Sequence, residues 1–198
     1  MISSYRLCDL VLLGLSRNEE NDILIEHPNS IGSKYILKKR SNNYNNIDLI
    51  TEIVMENVEK NLDLLPKNIT ESTVIHLRLG DVVAGNEWHE KIKRPLQINY
   101  LKSLIQNDDN SKYVIGKCFF AKPSSTNYEE CINASNEYLY SVINELNAEY
   151  FNSGNADVDL YCAIKSKTFI QGRGYFSKLI VEIRKRINLN NIETTVHD

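Results

Sequence analysis

The fold is decided by residues 74–83, which read VIHLRLGDVV. A short apolar run carrying His76 and Arg78 predicts a buried strand that ends in a turn at Gly80 and Asp81. Side chains two positions apart on a strand point to the same side, so His76 and Arg78 share one face. An arginine in a buried strand is costly unless it meets an anion. Spacing alone leaves two interpretations open, an internal Arg78–Asp81 ion pair beside a core histidine, or a phosphate site in which Asp81 orients Arg78.

Outward from this strand, short apolar runs alternate with longer stretches of helical periodicity. The pattern predicts helices over residues 50–65, 96–105, 128–146, 157–164 and 176–187. It predicts strands over residues 74–79, 113–120, 149–151 and 167–171. Strands that alternate with helices pair in parallel through right-handed crossovers, so we expect an α/β fold with a doubly wound, mostly parallel, Rossmann-like sheet.

The N-terminal part of the chain has the weakest pattern. Residues 8–15 are compatible with a strand or a short helix, residues 35–37 with a strand, and residues 41–46 with a polar loop. We therefore predict a small N-terminal region over residues 1–69, which includes the first helix, and a ligand-binding domain over residues 70–198.

A second informative stretch, residues 156–177, reads ADVDLYCAIKSKTFIQGRGYFS. A short helix leads into a strand, and a glycine-bearing turn then opens the last helix. Glycine lets the backbone approach a ligand closely, and the first N–H groups of a helix favour an anion. The candidate anion contacts are Gly172, Arg173, Gly174, Tyr175, Phe176 and Ser177. A tight strand-to-helix turn with no ligand would need the same glycines.

The pair Asp157 and Asp159 also permits a metal hypothesis, because an Asp-x-Asp pair holds a divalent ion in some transferases. A metal-binding pair of this kind usually ends an apolar strand, whereas this one follows the polar residues 152–155. Asp157 as a helix N-cap and Asp159 as a first-turn acid are favoured instead. We predict no metal site here.

Composition excludes several classes of protein. The chain has 198 residues and a net charge of −3, which argues against a general nucleic-acid binder. Its longest early apolar run, residues 10–15, is too short to span a bilayer. The four cysteines are scattered, with no zinc-type spacing, and predict reduced thiols. We expect a soluble cytoplasmic protein. The amino-acid composition, rich in Asn, Ile and Lys, is typical of an AT-rich viral or microbial genome.

Together the two stretches resemble motifs of the α1,2-, α1,6- and protein O-fucosyltransferases. Residues 76–81, HLRLGD, are similar to the first motif, H-x-R-x-G/T-D. Asp159, ten residues before Phe169 and followed by Phe176 and Ser177, is similar to the late motif. The resemblance covers about residues 70–187.

The resemblance implies a Rossmann-like donor domain of a GT-B glycosyltransferase that is inverting, needs no metal or cofactor, and transfers L-fucose from GDP-fucose to a glycan hydroxyl. It implies that Arg78 binds the β-phosphate, that His76 and Gly80 line the same cleft, and that Asp159 accepts hydrogen bonds from guanine. It also implies that residues 172–177 hold phosphate oxygens.

A general base is expected near the acceptor hydroxyl. Glu87, in a loop beyond the first motif, is our candidate, with His89 and Glu90 behind it. Only about 70 residues precede the first motif, so the acceptor side is reduced, missing, or supplied by a partner chain or a homo-oligomer. Two alternatives stay open: a non-catalytic domain that binds a nucleotide sugar or glycan, and a metal-dependent transferase that uses Asp157 and Asp159.

Overall fold

The computed structural model describes residues 15–18, 23–26, 47–80, 82–83, 95–119 and 128–194. The strands are β1 (Leu15–Asn18), β2 (Ile23–Glu26), β3 (Thr73–His76), β4 (Leu79–Gly80), β5 (Lys112–Ile115), β6 (Cys118–Phe119), β7 (Glu149–Tyr150), β8 (Thr168–Ile170) and β9 (Asn190–Ile192). The helices are α1 (Ile47–Lys60), α2 (Ile98–Leu104), α3 (Tyr128–Leu146), α4 (Ala156–Lys165) and α5 (Tyr175–Arg186).

Five of these strands form one sheet in the order β7-β5-β3-β8-β9, and every neighbouring pair is parallel. Numbered along the chain, this order is 3-2-1-4-5, the order of a Rossmann-type sheet. The fold is therefore α/β with a parallel sheet, as the alternation of strands and helices predicts. Outside this sheet, β1 and β2 form an antiparallel pair.

Helices cover both faces of the sheet. Val74 and Ile75, neighbours on β3, belong to different hydrophobic clusters because consecutive strand residues point to opposite faces. One cluster packs β3 and β8 against α1, α4 and α5, and the other packs the sheet against α2 and α3. The sheet is doubly wound, as expected. The predicted division at residue 70 stays a prediction, and α1, which it assigns to the N-terminal part, shares a core with α4 and α5.

The two central predicted strands are each interrupted once. The predicted strand over residues 74–79 is divided at residues 77–78, and the one over residues 113–120 is divided at residues 116–117. Beyond the interruptions β4 and β6 pair in parallel, with Leu79 opposite Cys118. The interruptions touch, because a Cβ at Gly116 would lie 2.0 Å from the carbonyl oxygen of Leu77.

Most other predicted elements are confirmed within a few residues. The helix predicted over residues 128–146 is α3, whereas the one predicted over residues 50–65 ends at Lys60 and is followed by a 3-10 turn at Leu62–Leu64. Strand β9 was not predicted from the sequence. Of the N-terminal predictions, only Leu15 falls on a described residue, where it begins β1. Among the described helices, none has the length and apolar character needed to cross a membrane.

Candidate functional site

The candidate site lies at the carboxyl ends of β3 and β8, where the strand order reverses. These strands are parallel neighbours, with Thr73 opposite Thr168 and Ile75 opposite Ile170. In the sheet, β5 and β7 lie on one side of β3, and β8 and β9 lie on the other. Such a reversal leaves a crevice outside the carboxyl ends in which ligands of α/β proteins bind. The residues that follow β3 and β8 therefore determine what the crevice holds.

His76, Gly172 and Ser177 interlock at the base of this crevice. A Cβ at position 172 would lie 2.1 Å from the His76 carbonyl oxygen and 2.5 Å from its Nδ1, so the packing requires glycine. The Gly172 N–H donates to Ser177 Oγ at 3.1 Å, and Ser177 Oγ lies 2.5 Å from His76 Nδ1 in a shared hydrogen bond. These contacts join the end of β3, the turn after β8 and the first turn of α5.

The interlocked side chains are turned into the protein. Ser177 is 0% exposed and His76 is 6% exposed. The Phe176 ring covers His76, with ring centroids 5.2 Å apart and planes inclined at 55°. The Ser177 hydroxyl and His76 Nδ1 bond to each other, so neither atom is offered to a ligand. The anion contacts predicted for residues 172–177 then fall to the backbone N–H groups at the start of α5 and to Arg173. The placement of His76 in a ligand-binding cleft stays a prediction.

Burial keeps the His76 ring neutral. Desolvation and then the charge of Arg78 lower the pKa of His76 to about 3. The ring is therefore uncharged at physiological pH and can share a hydrogen bond with a hydroxyl while adding no charge to the crevice. The effect of Arg78 also shows that its guanidinium lies near the ring.

Arg78 reaches the amino-terminal end of α5. Gly174 precedes α5 with φ of +96°, and a Cβ there would lie 3.1 Å from Arg78 Nη1 and 3.7 Å from its Cδ. The first N–H groups of a helix have no acceptor within that helix and carry partial positive charge. Arg78 therefore lies beside the opening of the last helix. That both groups bind one anion stays a prediction.

Two further cationic residues follow strands of the sheet at their carboxyl ends. Arg173 lies in the turn itself, and its Nε is buried with no hydrogen-bond partner in the described part of the chain. Lys117 follows β5 as Arg78 follows β3, and it lies close enough to Asp159 to lower the pKa of that carboxyl. Lys117 was missed from the sequence, although alternation along the predicted strand of residues 113–120 would place it on the same side as Ile115.

Asp159 occupies a separate position at the start of α4. It is 3% exposed, and its Oδ1 accepts a hydrogen bond from Ser153 Oγ at 2.5 Å. Burial raises the pKa of Asp159 to about 6, which the Ser153 hydrogen bond and the charge of Lys117 oppose. The charge of Asp159 also helps burial to raise the pKa of Tyr150, whose hydroxyl donates to the Gly116 carbonyl at 2.8 Å. Asp159 therefore faces the ends of β5 and β7.

The expected N-cap of α4 is corrected by the structure. Asn155, not Asp157, caps the helix, with its Oδ1 accepting the Asp157 N–H at 2.8 Å. Asp157 is 0% exposed, and Asp159 lies two positions further along the same helix turn. Residues two apart on a helix do not face each other, so these carboxylates do not converge on one ion. The metal hypothesis for this pair is not supported.

Gly80 is held by the fold. Its N–H donates to Ser135 Oγ at 2.8 Å, and Ser135 in turn donates to the Cys131 carbonyl at 2.6 Å. Ser135 is 0% exposed on α3, so this donor of Gly80 is used inside the protein rather than offered to a substrate. Tyr175 begins α5. The predicted residues Asp81, Glu87, His89 and Glu90 lie outside the described residues.

The fold and these contacts define a class of protein, an α/β chain with a Rossmann-type sheet and arginines at its switch point. No protein-family model matches the sequence, and no curated protein matches it. Solved structures of POFUT1 are similar to it at low sequence identity. The chain aligns with the apo form at 10% identity and a TM-score of 0.45, covering 74% of this chain and 49% of that one.

Two complexes of POFUT1 align comparably. The complex with GDP has 13% identity and a TM-score of 0.45, with 85% of this chain and 60% of that chain covered. The complex with GDP-fucose has 11% identity and a TM-score of 0.38, with 74% and 49% covered. The chain thus spans about half to three fifths of the POFUT1 chains. The family expectation drawn from the motifs stays a prediction.

Proposed function

We propose that the chain is a glycosyltransferase that binds the diphosphate of a nucleotide sugar in the crevice at the ends of β3 and β8. The observation that carries the proposal is the approach of the Arg78 guanidinium to the amino end of α5, because both groups favour the same anion. The resemblance to fucosyltransferases makes GDP-fucose the proposed donor and a glycan hydroxyl the proposed acceptor.

The chemistry of such a transfer suits this arrangement. Breaking the bond between the anomeric carbon and the diphosphate oxygen leaves the electron pair, and negative charge, on the diphosphate. Donors that are fixed before the reaction, here Arg78 and the first amides of α5, stabilise that charge without reorganising. The acceptor oxygen attacks the opposite side of the anomeric carbon, which inverts its configuration, and gives its proton to a base. Glu87 as that base stays a prediction.

Asp159 is the proposed acceptor for the guanine base. The Ser153 hydroxyl donates to one oxygen of the Asp159 carboxylate, Oδ1. The carboxylate has a second oxygen that can also accept hydrogen bonds. A carboxylate accepts from the two adjacent N–H donors of guanine only when it is ionised. With a pKa of about 6 for Asp159, we propose that GDP affinity declines as the pH falls below about 6.

GDP binding by an Arg78→Ala variant tests the proposal. Loss of a charge-assisted contact with the diphosphate should weaken GDP at least about ten-fold by calorimetry. Turnover of GDP-fucose should fall by about 10²–10³ if Arg78 stabilises the departing diphosphate. Arg186→Ala is the matched control, since Arg186 lies on the same α5 helix and pairs with exposed Asp48 at 2.6 Å. Unchanged GDP affinity and turnover in Arg78→Ala would rule out this mechanism.

A non-catalytic nucleotide-sugar-binding domain is the second candidate. Gly174 caps α5 without a side-chain hydrogen bond and has no side chain to donate to a phosphate, which favours a turn with fewer phosphate contacts. This candidate predicts the same loss of GDP binding in Arg78→Ala, but no release of GDP from GDP-fucose with any glycan acceptor. The acceptor, the oligomeric state and the location of the protein stay predictions.

A further inference from the structure

Ser177 and His76 connect two parts of the crevice that are far apart in the sequence and are held together by noncovalent contacts. His76 ends β3, whereas Ser177 lies in the first turn of α5, 101 positions further along the chain. Between them Gly172 passes so close to His76 that no side chain fits, and its N–H is accepted by Ser177 Oγ. One hydroxyl therefore joins β3, the turn after β8 and α5.

The cost of losing that hydroxyl is predictable from its partners. Ser177 is fully buried, so neither the Gly172 N–H nor His76 Nδ1 gains water when Oγ is removed. Buried donors and acceptors that lose a partner carry a full desolvation penalty. The neutral state of His76 supports the arrangement, because an uncharged ring leaves Nδ1 able to share this hydrogen bond.

The same contact bears on Arg78, which follows His76 by two residues and whose charge helps to lower the pKa of the His76 ring. Gly174, against which Arg78 Nη1 packs, lies three residues before Ser177. Any movement of the first turn of α5 relative to His76 therefore changes the spacing between the guanidinium and the helix amides. A diphosphate held by both groups is sensitive to that spacing, since charge-assisted hydrogen bonds need short, aligned contacts.

We propose that Ser177 and His76 are positioning residues, and that the hydrogen bond between them holds Arg78 against the amino end of α5 so that both bind one diphosphate. The inference rests on the proposed function. It also departs from the expectation that Ser177 donates to a phosphate oxygen, because the Ser177 hydroxyl contacts Gly172 and His76 and not the crevice.

The test compares Ser177→Ala with wild type using three probes: GDP, inorganic pyrophosphate and guanosine. Ser166→Ala is the matched control. Ser166 is also buried and hydrogen-bonded, but it lies at the amino ends of the strands, away from the crevice. We expect Ser177→Ala to weaken GDP and pyrophosphate about ten-fold while guanosine affinity is unchanged. Ser166→Ala should leave all three affinities unchanged, and Ser177→Thr, which keeps the hydroxyl, should recover most of the GDP affinity.

Three results would overturn the proposal. Wild-type affinity for pyrophosphate in Ser177→Ala would show that the contact does not position Arg78. Equal weakening of guanosine and pyrophosphate would show a general structural defect instead. Absence of pyrophosphate binding to the wild-type protein would remove the anion site itself. If wild type binds pyrophosphate but not GDP, the proposed function fails alone, and pyrophosphate affinity in Ser177→Ala still decides the inference. Should Ser177→Ala not fold, Ser177→Cys, with a weaker hydrogen-bonding group of similar shape, replaces it.

Discussion

Arginines at the two ends of the parallel strands have different surroundings: Arg184 is buried, whereas Arg78 is half-buried. At the amino edge, where β8 and β9 begin, Arg184 is 0% exposed and donates to the carbonyl oxygens of Ala163, Ile164 and Ser166 at 2.6, 3.0 and 2.8 Å. Further acceptors come from the chain beside β8 and β9. They are the carbonyl oxygens of Lys167 and Asn190, and Asn191 Oδ1. At the carboxyl edge, Arg78 lies against Gly174 and the amino end of α5.

The difference follows from the polarity of the helices. In a parallel α/β sheet each helix begins at the carboxyl edge and ends at the amino edge, so carbonyl oxygens gather at one edge and N–H groups at the other. A cation at the amino edge meets acceptors that the fold supplies. A cation at the carboxyl ends of the strands lies beside positive helix ends, and an anion bound between them is attracted by both. Arg184 is thus a structural arginine, and Arg78 is suited to a ligand.

The largest effect on stability should come from Arg184→Ala. Burial lowers the pKa of Arg184 to about 10, so the residue is charged at neutral pH and its acceptors depend on it. Removing it leaves several buried carbonyl oxygens without a donor, and we expect a loss of about 3–5 kcal/mol in the free energy of unfolding. Urea denaturation measures this loss. Arg186→Ala, which breaks an exposed pair with Asp48, should cost less than about 1 kcal/mol.

A loss below about 1 kcal/mol in Arg184→Ala would contradict the assignment of a structural role to the amino edge. Arg78→Ala sharpens the contrast, because we expect its main effect on ligand affinity and turnover rather than on unfolding.

Asp159 gives a pH-dependent comparison at the carboxyl edge. Its pKa is raised from 3.8 to about 6, mainly by burial, so the ionised carboxylate destabilises the folded state above pH 6. Asp159→Asn should therefore be more stable than wild type at pH 8, by up to about 3 kcal/mol, since each pKa unit corresponds to about 1.4 kcal/mol. The difference should shrink as the pH falls from 6 towards 3.8, where the wild-type carboxyl is protonated in both states.

Urea denaturation of both proteins at several pH values checks this dependence. A variant that is less stable than wild type at pH 8 would show that the charge of Asp159 is needed by the fold. Lower GDP affinity together with higher stability would identify the carboxylate as a group retained for ligand binding.

The smallest predicted effect comes from alanine substitutions at two glycines. They distinguish backbone strain from a steric clash with Arg78. Gly174 and Gly154 both have positive φ, +96° and +76°, but a Cβ at Gly174 would lie 3.1 Å from Arg78 Nη1 whereas one at Gly154 would meet nothing within 4 Å. Alanine at either position should cost about 1 kcal/mol of stability. Only Gly174→Ala should also weaken GDP, by several-fold, because Arg78 must move. Equal GDP affinities in the two variants would argue that Arg78 is not fixed by its contact with Gly174.

Much of the fold could be predicted from sequence periodicity. The features that the prediction missed have local explanations. Helix α3 was predicted with its observed ends because apolar positions recur regularly over its length. Strand β9 was missed because Asn190–Ile192 is short, polar and at least partly exposed, so no apolar run marks it. The interruption at residues 77–78 was hidden because Leu77 and Leu79 continue the alternation of Ile75 on the same face.

The candidate site was likewise predictable only in part. The approach of Arg78 to Gly174 was predictable, because parallel strands bring their carboxyl ends together and glycines mark a close approach. The inward orientation of Ser177 was not, because it depends on His76, distant in sequence. Arg184 was also hidden, since an Arg-Lys-Arg run at a helix end normally predicts a solvated face, and only the fold brings the end of α4 against it.

The paired interruptions of the central strands constrain how the chain length can change. From Thr73 with Lys112 to Gly80 with Phe119, every paired residue lies 39 positions before its partner, on both sides of the break. Both chains therefore leave and rejoin the ladder after the same number of residues. A deletion in one interruption would shift β4 by one residue against β6 and reverse its side chains, unless a matching deletion occurred in the other. The two segments are thus a matched pair, whose lengths can vary only together.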